Sequence, residues 1–281
     1  MKSLYLLIAT ALLQSCGNEK KPETLVKSEN AHDAPPVKYG VEGSYTGDFK
    51  PKTYKPGTAD LENNRITIFI DSMNGEQAFG HSVVAGNERS FSGRFTRQGN
   101  NFIVDAREPG DDPYDGAFSF TLDTATKTIT GTWTANKKDL QITERSYVLR
   151  PRAFRYDPAL SLPEDIVGMS MPGTYNDDTG EGEMVTEDAI RFNASTTLLR
   201  SSDVENMYKA DLELIRNAIY ARHGYSFKNK RMRRIFDNYV EWYLPFSTNI
   251  SSRLSETEQK NISLLKRYEA HAAKYYDAFG R

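Results

Sequence analysis

The sequence predicts a two-part body: an antiparallel β-barrel of about eight strands with up-and-down topology, followed by a small all-α domain. Two changes of period carry that prediction. From Gly43 to about Arg150 apolar residues alternate with polar ones, the two-residue repeat of a half-buried strand. From Ser202 onward they recur every three to four residues, the repeat of an amphipathic helix. A third observation constrains both parts. The one cysteine, Cys16, ends a short apolar run near the N-terminus, so no disulfide within the chain can staple either body and both must hold by burial.

At the N-terminus Lys2 precedes the apolar stretch Leu4 to Leu13, which is too short to span a bilayer comfortably, and Leu13-Gln14-Ser15-Cys16 closes it. This pattern resembles the lipobox of bacterial lipoproteins. The resemblance implies that residues 1–15 are a removed signal peptide and that Cys16 carries lipid on its sulfur and on its freed amine, more anchoring than two-signal attachment requires. The competing readings are an ordinary secretory peptide or a buried thiol. Gly17 stands where an aspartate would signal retention in the inner membrane, so the expected address is the bacterial cell envelope, anchored to the outer membrane on its periplasmic or outer face.

Residues 16–40 combine Lys20, Lys21, Lys27, Pro22, Pro35 and Pro36 with few bulky apolar side chains, so they cannot bury enough surface to offset chain entropy and are expected to form an extended tether. Removing Lys2 takes the formal net charge from −2 to about −3, a near balance that gives no reason to expect a nucleic-acid partner.

Residues 41–150 are assigned to the barrel. Ile66, Ile68 and Ile70, then Phe91 and Phe95, then Phe118, Phe120 and Leu122 mark the inward phase of three strands. Ser44 to Phe49, Ala78 to Val84, Asn101 to Arg107, Thr128 to Ala135 and Ile142 to Arg150 supply the others, separated by breaks such as Asn74-Gly75 and Gln98-Gly99-Asn100. Sequential strands joined by short turns favour an up-and-down barrel, whose closure removes exposed edges. Gly43-Ser44-Tyr45 and Gly131-Thr132-Trp133 resemble the calycin-like barrels of avidin-like and lipocalin-like proteins, which implies room for one small ligand. The alternative is an interior filled by Phe91, Phe95, Phe102, Phe118, Phe120 and Trp133. The acidic loop Glu108 to Gly116 holds Asp111, Asp112 and Asp115, candidate metal ligands or hydrolase carboxylates, but adjacent aspartates beside Pro-Gly and Asp-Gly pairs also suit a long hairpin turn.

Residues 151–197, punctuated by Pro151, Pro158, Pro163 and Pro172, are expected to be a connector with short strands at 184–185 and 189–192. The helical domain is placed at 198–281. Its first helix is expected to run from Ser202, boxed by Glu205, with Val204, Tyr208, Leu212, Ile215 and Ile219 inward, and to end at Gly224. A second is expected over 230–239 with Met232, Ile235, Phe236 and Tyr239 inward, and a last from Ser255 with Glu258 as its capping partner.

Arg216-Asn217-Ala218-Ile219-Tyr220-Ala221-Arg222-His223-Gly224-Tyr225, followed by Phe227, Phe236, Trp242-Tyr243, Pro245, Leu254-Ser255, Glu258 and Asn261-Ile262, resembles the YARHG domain family over about 198–268. Ala218 departs from the glutamate common there. The resemblance implies a small extracellular bacterial domain with no assigned catalysis and brings no site residues. Arg222 and His223, with Lys228, Lys230, Arg231 and Arg234 nearby, are the candidate binding residues, for an acidic glycan or anionic headgroup. The structural account, helix capping and inter-helix hydrogen bonds, is the stronger one for Arg222 and His223. No nucleophile–base–acid set is readable, and His32, His81 and His271 are scattered, so no enzyme activity, metal or cofactor is expected. The favoured function is a lipid-anchored, non-catalytic binding module for an envelope glycan, peptidoglycan or protein. The alternatives are a carrier of a small apolar ligand in the barrel and a hydrolase using the acidic loop.

Overall fold

The computed structural model describes residues 39–58, 63–178 and 180–275. The expected signal peptide, Cys16 and nearly all of the tether lie outside the described residues. Strands β1 (Gly43–Tyr54), β2 (Asn64–Asn74), β3 (Gln77–Val84), β4 (Asn87–Gln98), β5 (Asn101–Arg107), β6 (Gly116–Asp123), β7 (Thr128–Ala135) and β8 (Ile142–Pro151) form a closed barrel in chain order. Every neighbouring pair is antiparallel, and β1 meets β8 from Tyr45↔Pro151 to Tyr54↔Ile142 to complete the ring.

The interior is filled. All six aromatics expected to fill it are buried, together with the inward isoleucines of β2. Each such Phe or Ile withdrawn from water contributes about 1.5–3 kcal/mol, which is how a body without disulfides holds its shape. Tyr39 closes one end, its ring edge-on to Phe95 at 5.6 Å and Phe102 at 5.1 Å, while Tyr45 donates its hydroxyl to the Val41 carbonyl at 2.6 Å. At the opposite end, where β1 finishes and β8 begins, the helix Lys230–Tyr239 lies across the mouth.

The helical part comprises α1 (Asp188–Arg191), α2 (Ser201–Val204), α3 (Lys209–Arg222), α4 (Lys230–Tyr239) and α5 (Glu256–Tyr275). Among the described residues no helix is long and apolar enough to cross a membrane. Helix α3 is central. Ala210, Leu214, Ala218 and Ala221 face one apolar cluster and Leu212, Ile215 and Ile219 another, so it is buried nearly all round. Ala218 packs in the first cluster, where a carboxylate would need a partner.

Several expectations change. The chain is not one helix from Ser202: Tyr208 is extended (φ −66°, ψ 153°), which separates α2 from α3 and lets both Val204 and Met207 enter the cluster that a continuous helix would offer to Tyr208. The capping contact at α2 is made by Asp203, accepting from the Arg200 N–H at 2.7 Å, not by Glu205. Residues 189–191 are helical rather than extended. Tyr239 is exposed, and Asp237 takes the buried place beside Met232, Ile235 and Phe236. The connector is part of the helical body, because Leu162, Ile166, Met171 and Val185 pack into the same cluster as α3 and α4. Gly224 does close α3, at φ +72°.

Barrel and helices share a seam. Arg65 of β2 donates from Nη1 to the carbonyls of Val240 at 2.8 Å and Tyr243 at 2.6 Å, holding the C-terminal end of α4. At the β3–β4 turn the Gly86 N–H donates to Ser226 Oγ at 2.9 Å. Gly86 sits at φ +74°, and a Cβ there would press on the Lys228 backbone, 2.7 Å from its nitrogen. Gly86→Ala is therefore expected to destabilise the protein by about 1–3 kcal/mol through backbone strain and overpacking. Thermal unfolding checks this, and an unchanged midpoint would mean that the seam gives way freely.

Candidate functional site

The acidic loop folds into a turn locked by its own carboxylates. Asp115 Oδ2 accepts from the Gly110 N–H at 2.8 Å and the Asp112 N–H at 3.2 Å, and Asp112 Oδ1 accepts from the Tyr114 N–H at 2.8 Å. Arg89 pairs with Asp112 and Asp115, each at 3.0 Å, and Asp111 is exposed. These oxygens are committed to the turn. Among the described residues no group of three or more His, Cys, Asp or Glu is placed to hold a metal ion.

The basic run divides. Lys228 is exposed beside Gly86, and Arg231 donates to Glu213 at 3.1 Å, away from the barrel. Lys230, Arg233 and Arg234, on α4, face the barrel mouth and line a cavity of about 590 Å³. Its floor is Phe49, Ile66, Phe118 and Trp133, with the Phe49 and Trp133 rings edge-on at 5.9 Å. Three charged side chains of the barrel, Arg89, Glu108 and Arg145, also line it. Glu108 accepts from the Gly116 N–H at 2.7 Å and Trp133 Nε1 at 3.1 Å, and burial pushes its carboxyl up despite these donors and Arg89. Arg145 donates to the Phe49 carbonyl at 2.7 Å with its guanidinium 5.2 Å from the Phe49 ring centre, and burial, then the charge of Arg233, pulls it down to about 10.

Arg222 and His223 do not reach this cavity. Both are 3% exposed. Arg222 donates from Nε to the Leu160 carbonyl at 2.7 Å and from Nη1 to Ser195 Oγ at 3.2 Å. His223 Nε2 lies 2.9 Å from Glu258 Oε2, and its ring stacks on Tyr156 at 4.2 Å. The Tyr156 hydroxyl donates to Glu258 Oε1 at 3.0 Å, and the Ser255 N–H to Oε2 at 2.9 Å. Burial pushes Glu258 up, but the hydrogen bonds from His223 and the Ser255 N–H prevail and hold it at about 2. The expectation that Arg222 and His223 form a binding surface is thus corrected: they bind the connector to α3 and α5 from within.

Residues 188–270 match the YARHG domain family. The match starts ahead of the boundary expected at 198, consistent with α1 packing beside α3. No curated protein matches the chain. Within residues 188–270 Arg222 and His223 are thus internal fasteners, and the barrel is met by α4 together with Ser226, Lys228 and Phe246. Sequence reasoning missed Arg145 and Asp237, and it placed Glu108 in the acidic loop and Arg233 in the basic run without bringing either to the barrel mouth. The signals were there: Arg145 shares the inward phase of Tyr147 and Leu149, Glu108 continues that of Phe102, Val104 and Ala106, and Arg233 and Asp237 are an i,i+4 pair.

Proposed function

We propose that the chain is a bacterial envelope lipoprotein, anchored through acyl chains on Cys16 to the outer membrane, whose body is a non-catalytic module binding a small envelope molecule at the barrel mouth. The cavity of about 590 Å³ supports this most strongly. Its size is that of a seat for a small organic ligand, and it joins an apolar floor to a few convergent polar groups. The rest of the interior is filled by side chains, which disfavours an apolar molecule deep in the barrel. Two of the three aspartates a hydrolase would use in the acidic loop, Asp112 and Asp115, are engaged by backbone N–H groups and Arg89.

Two measurements test the reading. Cys16→Ser is expected to abolish incorporation of labelled palmitate and to move the protein from the membrane to the soluble fraction; retention in the membrane would refute the anchor. The full chain carrying Cys16→Ser, mixed with envelope extract and examined by native mass spectrometry, is expected to keep a small-molecule adduct. Adding Asn64→Trp at the cavity rim should remove it. An adduct unaffected by that block, or none at all, would refute the seat.

A further inference from the structure

The polar lining of the cavity is strongly one-sided. Among the described residues Arg89, Arg145, Lys230, Arg233 and Arg234 face one carboxylate, Glu108, whose Oε2 accepts from the Gly116 N–H and Trp133 Nε1 and whose Oε1 accepts from the Ser82 hydroxyl at 3.4 Å. Arg89 is paired with Asp112 and Asp115, and Lys230 and Arg234 have partners of their own. Among the described residues that leaves two guanidiniums held by backbone carbonyls, Arg145 by that of Phe49 at 2.7 Å and Arg233 by that of Lys228 at 3.5 Å. Arg145, on β8, and Arg233, on α4, line the cavity from opposite bodies, each close enough to feel the charge environment of Asp237. Among the described residues the buried Nε of Arg233 has no hydrogen-bond partner, nor has Oδ2 of Asp237, which is 5% exposed. One carboxylate, Asp237, stands against these two guanidiniums and neutralises the pair incompletely, so two cations border a cavity floored by aromatic rings.

We infer that the cavity takes a ligand with one carboxylate on an aromatic body, the acid held between Arg145 and Arg233 and the body laid on the Phe49 and Trp133 rings. This names the ligand class for the binding reading above and rests on it. An arginine fork matches a carboxylate edge-on, with two parallel N–H donors, and such charge-assisted bonds are about twice as strong as neutral ones. The edge-on arrangement of Phe49 and Trp133 offers a flat ring both stacking and T-shaped contacts. The carboxylate would also relieve the repulsion between two cations brought together by separate parts of the fold.

The probes are 1-pyrenebutyrate and its neutral amide, titrated by fluorescence at pH 7 into the full chain carrying Cys16→Ser. The acid is expected to bind one-to-one and at least tenfold more tightly than the amide. Arg145→Gln and Arg233→Gln should each erase that preference while leaving the amide unchanged, Arg233→Lys should restore part of it, and Arg94→Gln on the outer face of β4 should have no effect. Should the glutamine variants fail to fold, raising the salt concentration with the unaltered lining must weaken the acid and spare the amide. Equal binding of acid and amide would overturn the inference while leaving a neutral ligand for the seat. Binding of neither probe would overturn it too, and the envelope-extract adduct then decides whether the seat itself survives.

Discussion

Glu258→Ala is expected to remove about 3–5 kcal/mol of stability, the range for deleting one partner of a buried charged hydrogen-bond set. Glu258 is fully buried, and the change leaves His223, the Tyr156 hydroxyl and the Ser255 N–H without their acceptor. It also breaks the reciprocal cap in which the Glu258 N–H donates to Ser255 Oγ at 3.2 Å. Since small domains hold only about 5–15 kcal/mol in total, the helical part should be largely undone at moderate denaturant. Equilibrium urea unfolding at pH 7 measures the loss, with Glu258→Gln expected to recover part of it by restoring acceptor geometry without charge. The sign with pH is fixed by the lowered value, about 2 against an ordinary 4.5. The contribution is fully present above pH 4.5 and lost as pH falls towards 2, about 3 kcal/mol over that window. A variant losing under 1 kcal/mol would mean that the fastener carries little.

Asp237→Asn should act in the opposite sense, stabilising the protein by a few kcal/mol above pH 7 and leaving it nearly unchanged near pH 4. Burial pushes the Asp237 carboxyl up to about 7, against the Arg65 N–H and the charges of Arg65 and Arg233, with Asp48 adding to the rise. Tyr243, wholly buried nearby, is raised well above its usual range in turn. Between its ordinary 3.8 and about 7 the folded state holds a proton that the unfolded chain has released, so wild-type stability falls as pH rises through that interval and then levels. Roughly three pH units correspond to about 4 kcal/mol. Asparagine keeps the shape and removes the titration. Unfolding free energies of both proteins from pH 4 to 8 should diverge steadily up to pH 7, and parallel curves would refute the account.

The barrel was legible in the sequence because a filled barrel imposes the same rule on every strand: Ile66 to Ile70, Phe91 to Phe95 and Phe118 to Leu122 each show one face to the core. Helix α4 was legible over its whole length for a similar reason, since one side packs and the other meets solvent. Helix α3 was harder. Apolar clusters on two sides leave little polar face to fix a phase, which is why the break at Tyr208 went unseen. The connector resisted because its anchors, Leu162, Ile166, Met171 and Val185, are single residues spaced by turns rather than by a period. The cavity was illegible as a site because its two guanidiniums lie 88 positions apart, on β8 and α4, and only the docking of one body on the other brings them together. Proximity in sequence pointed instead to Arg222 and His223, whose polarity serves the interior.

Helix α4 ties together two properties that most proteins keep separate. The same ten residues are fastened at one end by Arg65 and carry Arg233 over the barrel mouth. Whatever occupies the mouth must therefore tighten the joint between the two bodies, and whatever loosens that joint must weaken the grip, because each free-energy change is felt equally by the other. A molecule captured there would act as a rivet, turning two adjoining parts into a stiffer whole.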